Sequence, residues 1–130
     1  MALRVYLASK LYMAEAWREL RSQQIDIVIT SSWIDSIQSE LEGKATPEIF
    51  EKGWARNKLD VQKCDVVLVY GAAGDDLRGA LVEVGMGIGL DKTIICVGNS
   101  RSFGTWIHYE DAYKAKTISE ALELAKTLHP

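Results

Sequence analysis

Residues 65–70, Asp-Val-Val-Leu-Val-Tyr, and residues 93–97, Thr-Ile-Ile-Cys-Val, form two short runs that are almost wholly apolar and rich in β-branched side chains. A strand with one wet face alternates polar and apolar residues. Runs without that alternation belong to strands covered on both faces, as in a parallel sheet flanked by helices. Residues 3–8 and 25–30 read as two further strands, and residues 112–115 as a short fifth. Helical stripes separate them. Met13, Trp17 and Leu20 mark a helix over roughly 12–24, and Pro47 is placed to open another over about 48–63. A third helix runs to Leu90. The last carries Ile118, Ala121, Leu122, Ala125 and Leu128 behind Thr117-Ile118-Ser119-Glu120, a capping-box pattern.

The resulting order, β-α-β-α-β-α-β-β-α, predicts a single α/β domain over residues 1–130. It is a doubly wound, flavodoxin-like or Rossmann-like five-stranded parallel sheet of order 2-1-3-4-5 with right-handed crossovers. In such sheets the ligand crevice lies outside the carboxyl ends of the strands where the order reverses, here between strands 1 and 3. That geometry brings Tyr6 to Lys10, Asn57 and the segment 71–83 to one rim. Convergence of three distant segments points to a site more strongly than any one residue.

Glu83 is the focus of that rim, placed by the pattern about one turn into the third helix. A helix amino terminus favours a nearby negative charge, so the carboxylate is expected to be ionised, as a nucleophile should be. The bland alternative is a solvated first-turn carboxylate. Gly79, Gly85, Gly87 and Gly89 crowd the same helix, each costing about 1 kcal/mol relative to Ala in a helix interior. Packing of helix on sheet accounts for the last three. Gly79 is expected to let the backbone approach a ligand or to adopt φ > 0. Asp76 and Gly79, in this turn, are candidate substrate-binding residues.

Asn57 stands out on the second helix. Phe50, Trp54, Asn57 and Val61 follow +4, +3, +4 spacing and share a face, so the amide interrupts an apolar stripe. Unpaired in a core it would cost roughly 1–3 kcal/mol. Either it bonds a loop backbone or it is aimed at a ligand.

The bulk properties narrow the function. A net charge of −3 with scattered Lys and Arg gives no surface for polymeric nucleic acid. No apolar run approaches the ~20 residues of a membrane span, and the amino terminus has no signal-peptide pattern. Cys64 and Cys96 lie at or in expected strands without metal spacing, as buried thiols of a reducing cytoplasm do. His108 and His129 are isolated, and Asp75-Asp76 lacks further ligand spacing. No metal and no cofactor is expected.

With these residues in place, the chain resembles the nucleoside 2-deoxyribosyltransferase superfamily, which includes 2-deoxynucleoside 5-monophosphate N-hydrolases, over nearly its whole length. Val5-Tyr6-Leu7-Ala8-Ser9 is similar to the family's first strand and small-residue turn. The segment from Asn57 to Asp65 resembles its helix-to-strand segment, and Gly79-Ala80-Leu81-Val82-Glu83-Val84-Gly85 its glycine, glutamate, glycine signature. Trp33 matches a tryptophan common among short phage and bacterial members. The resemblance implies a glutamyl-glycosyl intermediate, resolved by water or a second base with net retention. It implies Glu83 as nucleophile, Tyr6 as its orienting partner, and Ser9 and Lys10 at the 5-hydroxyl or 5-phosphate. The substrate is then a nucleoside or nucleotide.

Two departures accompany the resemblance. Asn57 stands where the family usually has Asp, and an amide cannot act as acid or base near neutrality. Leu81 replaces a common small residue. A module that binds its ligand without turnover is therefore a rival reading. A phosphoribohydrolase of the lysine-decarboxylase-like type is another, although its tandem-glycine and threonine turn is missing. Trp33, Trp54 and Trp106 supply more large apolar surface than one compact sheet readily buries, which predicts a homodimer or higher homo-oligomer with the 48–63 helix at its interface.

Overall fold

The computed structural model describes residues 2–36, 40 and 42–130. Its strands are β1 (Leu3–Ala8), β2 (Ile27–Ile29), β3 (Val66–Gly71), β4 (Thr93–Gly98) and β5 (Ala112–Ala115). Among the described residues the α-helices are α1 (Ala14–Gln23), α2 (Pro47–Lys63), α3 (Arg78–Gly89) and α4 (Ile118–Leu128). The five strands form one parallel sheet in the order β2-β1-β3-β4-β5, as the strand and helix alternation predicts.

Every residue of β3 except Tyr70 is buried, and Ile94 to Val97 of β4 are at most 2% exposed. Their even residues and odd residues serve different layers. Val5, Leu7, Leu68 and Ile95 pack with Trp17 and Leu122 beneath α1 and α4. Tyr6, Val67, Val69, Ile94 and Cys96 pack with Val61, Ala80 and Val84 beneath α2 and α3. Burial pushes both thiols, Cys64 and Cys96, up to about 12, so they remain protonated.

Two boundaries differ from expectation. The turn before α1 is a 3-10 segment, Leu11–Met13, so the α-helix starts at Ala14 rather than near Tyr12. Strand β2 has only three residues, and Ile25 is 99% exposed. As an edge strand, β2 is needed only where β1 wants backbone partners. Past its end, side chains take over: Ser31 Oγ accepts from the Leu7 N–H at 3.0 Å, and Trp33 Nε1 donates to the Leu7 carbonyl at 2.8 Å.

Helix starts follow the sequence cues. Pro47 is the first residue of α2, and Thr46 Oγ1 accepts from the Ile49 N–H at 3.3 Å. Thr117 Oγ1 does the same for Glu120 at 3.1 Å. The glycines of α3 are less uniform than expected. A Cβ on Gly87 would lie 2.8 Å from Val67 Cγ2 and 3.0 Å from Ile94 Cδ1, so this glycine does pack on the sheet. Gly85 and Gly89 are exposed with nothing within 4 Å of a Cβ, so packing does not explain them.

Candidate active site

The carboxyl ends of β1 and β3 open into a cavity of about 660 Å³. One wall is aromatic: Trp33 from the turn after β2, with Phe50 and Trp54 from α2. The other is the polar rim of Ser9, Lys10 and Tyr12 after β1 and Asp76, Arg78 and Gly79 after β3. Asn57 and Glu83 lie among these lining residues. The face shared by Phe50, Trp54 and Asn57 thus turns toward the cavity, and only Val61, at the end of that stripe, is fully buried core. Among the described residues no hydrogen bond engages the Asn57 amide, which leaves it facing open volume rather than a loop backbone.

Glu83 sits differently from its sequence-based placement. Helix α3 begins at Arg78, so Glu83 belongs to the second turn, where the field of the helix end has largely fallen away. It is 6% exposed, and burial pushes its carboxyl well above the usual carboxylate range. Desolvation outweighs the dipole here and shifts the carboxyl toward its protonated form, against the direction expected from a helix start. Its Oε2 has no hydrogen-bond partner. Tyr6 Oη, fully buried in the layer that also holds Ala80 and Val84, has none either. No hydrogen bond joins the two residues, and Tyr6 is not among the residues that line the cavity. A buried polar atom without a partner costs about 1–3 kcal/mol, a strain that a ligand supplying donors would relieve.

The remaining predicted residues reach the cavity in varied states. Ser9 Oγ accepts from Trp17 Nε1 at 2.8 Å and donates to the Lys10 carbonyl at 2.9 Å, so this hydroxyl mostly serves the fold. Lys10 Nζ reaches across the crevice to the Asp76 carbonyl at 3.5 Å. The Asp76 carboxylate accepts from Arg78 Nε at 2.9 Å. Gly79 is helical and is not among the glycines with positive φ, Gly43 and Gly98, so a left-handed backbone is not what it supplies. A Cβ there would come within 3.8 Å of Trp54.

Sequence reasoning missed several supports. Asp60, 7% exposed and one turn beyond Asn57 on α2, accepts from both the Ser32 N–H (3.0 Å) and hydroxyl (2.6 Å). It points at the turn that presents Trp33 rather than into the cavity. Its i+3 spacing from Asn57 was the available signal. Tyr12 Oη donates to Asp75 Oδ2 at 2.6 Å across 63 positions, which no local pattern announces. Ser100 Oγ donates to the Asp75 carbonyl at 2.8 Å, and Ser102 Oγ accepts from the Leu77 N–H at 3.0 Å, so the loop after β4 holds the start of α3. Among the described residues no cluster of three or more His, Cys, Asp and Glu could hold a metal, and no helix is long and apolar enough to cross a membrane.

No family model and no curated protein matches this sequence. Solved structures do match. A 2-deoxyribosyltransferase from the psychrotolerant bacterium Bacillus psychrosaccharolyticus superposes with a TM-score of 0.62 at 15% identity, over 87% of this chain and 86% of that one. Clostridium botulinum CMP N-glycosidase, BcmB, superposes with a TM-score of 0.55 at 13% identity, over 95% of this chain and 98% of that one. With its five parallel strands in the order β2-β1-β3-β4-β5, this chain has the fold of those two proteins.

Proposed function

We propose that this protein cleaves or exchanges the N-glycosidic bond of a nucleoside or nucleotide through a covalent glycosyl-Glu83 ester. The observation that supports this most is the placement of one buried carboxyl, without a partner for Oε2, at the cavity between an aromatic wall and a polar rim. A flat base stacks on Trp33, Phe50 or Trp54, and the sugar lies over Glu83. The fold shared with a deoxyribosyltransferase and an N-glycosidase agrees with that reading.

In the first step, ionised Glu83 attacks the anomeric carbon as the C–N bond breaks, and the bonding pair leaves with the base. Water or a second base then displaces the glutamate from the opposite side, so two inversions give net retention. Ionisation of Glu83 needs donors at its oxygens, which hydroxyls of the bound sugar supply. Asn57 holds the ligand by its amide and transfers no proton. Intact-protein mass spectrometry after incubation with nucleosides and nucleotides tests this. A glycosyl adduct and free base are expected, and neither with any member of the panel would overturn it.

A binding module without turnover is favoured by one observation, an amide rather than an acid at Asn57 in the cavity that Glu83 also lines. Asn57→Asp separates the readings. With the cavity occupied by a reactive ligand, the added acid should raise turnover about tenfold or more and change its pH profile. In a module that only binds, base release stays absent and melting temperature alone responds.

We also propose a homo-oligomer built on α2 and α3. Trp33 and Trp54 line the cavity and Trp106 stacks edge-on with Phe103 at 5.7 Å, so these rings are largely used within the subunit. Outside the cavity lining the exposed large apolar residues include Leu59 of α2 with Val82 and Leu90 of α3, alongside Ile25 and Val28 near β2, and the first three are the ones the proposed interface uses. Light scattering at micromolar concentration should give a multiple of 14.5 kDa, and a clean monomer mass would reject the assembly.

A further inference from the structure

The turn that carries Trp33 does not cap itself. It is a short 3-10 segment, Ser32–Asp35, and the first N–H groups of such a segment have no partner inside it. Ser31 precedes it, where a hydroxyl commonly caps, but Ser31 Oγ is given to the Leu7 N–H of β1. Asp60 supplies the missing acceptor from α2. Its Oδ2 takes both the Ser32 N–H at 3.0 Å and the Ser32 hydroxyl at 2.6 Å. Asp60 is 7% exposed, and none of the ion pairs among the described residues includes it. Burying a carboxyl is unfavourable unless its bonds replace those to water. Both of these bonds go to one residue of the turn.

The same helix carries the rest of the aromatic wall. Phe50, Trp54 and Asn57 line the cavity from α2, and Trp33 lines it from the turn. Among the described residues no ring contact joins Trp33 to Phe50 or Trp54, so ring packing does not set the spacing between the two sides. Polar ties do. One is the buried pair of bonds from Asp60 to Ser32; the other is an exposed bond from Arg56 Nη1 to Ser36 Oγ at 3.2 Å. The exposed bond competes with water, so the Asp60 tie is the stronger.

We propose that Asp60 is a positioning residue. It fixes the Trp33 turn against α2 and so sets the spacing at which a flat base stacks, without itself lining the cavity. The proposal rests on the reading above that a base lies on the aromatic wall. A stack held equally in the bound and the reacting state strengthens binding and leaves the chemical step unchanged. Loss of Asp60 is therefore read in KM and base affinity, not in kcat.

Asp60→Ala and Asp60→Asn test it, with Thr117→Ala as the control for stability. The Asn amide oxygen accepts from the same two donors. Thr117 caps α4 and lies outside the cavity lining. In base release from a panel of nucleosides, Asp60→Ala should raise KM about tenfold or more while kcat stays within about threefold. Asp60→Asn should bring KM back to within about threefold of the wild type. Calorimetric titration with adenine and with cytosine reads the wall without turnover, and Asp60→Ala should weaken the base that the wild type binds by a like factor. Thr117→Ala should lower the melting temperature and leave KM and base affinity alone. Should Asp60→Ala fail to fold, Ser32→Ala removes only the hydroxyl bond and should show the same split at about threefold. Unchanged KM and base affinity in the folded variant, no recovery in Asp60→Asn, or an equal change in Thr117→Ala overturns the proposal. If the wild type releases no base from any nucleoside, the glycosyl-transfer reading falls while the titrations still decide this one. A wild type that releases no base and binds neither adenine nor cytosine overturns both.

Discussion

Glu83→Gln should abolish base release, by about a thousandfold or more, while making the protein more stable at neutral pH. The two effects have one origin. Glu83 is buried without a partner for Oε2, and its carboxyl titrates well above the usual range because charging it there means losing water. In the unfolded chain the same group titrates near the ordinary value of about 4.3. Between that pH and the folded value, the folded protein keeps a proton that the unfolded chain has released. Stability therefore falls as pH rises through that window and levels off above it. Below both values the contribution is constant. Gln has nearly the same shape and does not titrate, so the Glu83 share of this slope should vanish in thermal melts between pH 4 and 9. Wild-type turnover should rise with pH, because only the ionised carboxylate attacks. A variant with near wild-type turnover would remove Glu83 from the nucleophile's role, and an unchanged melting slope would remove it as the titrating group.

Gly98→Ala should destabilise the fold by about 3 kcal/mol or more, lowering the melting temperature by roughly 10 °C or more. Gly98 closes β4 opposite Gly71 of β3, at φ +102°, where an L side chain is strained. Its Cβ would also lie 2.0 Å from the Gly71 carbonyl oxygen and 2.9 Å from the carbonyl carbon. Backbone cannot step aside as a flexible side chain does. Gly71 in turn abuts Ser100 and Leu77, so a shift there disturbs the turn leading to Glu83 as well as the sheet. Gly89→Ala makes the contrast on α3. Nothing lies within 4 Å of its Cβ, so the change should be neutral or stabilise by up to about 1 kcal/mol. Urea melts of the two variants measure the difference. Similar loss in both would mean that the close approach of Gly71 and Gly98 is not what demands glycine.

Much of the fold was legible because its causes are local. The unalternating runs ending at Tyr70 and Val97 announce strands buried on both faces, Pro47 announces one helix start through its fixed φ, and Thr117 another through a bond spanning three residues. Strand β2 was read too long because Ile25 is apolar, yet an edge strand extends only as far as its neighbour needs partners. Ser31 and Trp33 meet that need from the turn. The stripe through Phe50, Trp54 and Asn57 was seen as a face, but periodicity cannot say whether a face meets core or cavity.

The sequence by itself determined the elements, their order, the parallel sheet and the convergence of Ser9, Lys10, Asn57, Asp76 and Glu83 on one crevice, because periodicity and crossover handedness act along the chain. The tertiary structure decided the electrostatics. Whether Glu83 carries a charge depends on how much water the folded walls exclude, and desolvation overrode the helix-end field that its sequence position suggested. Tyr12 meets Asp75, and Arg78 meets Asp76, only once the chain has folded. Burial and charge pairing are sums over neighbours in space, and most of those neighbours are distant in sequence.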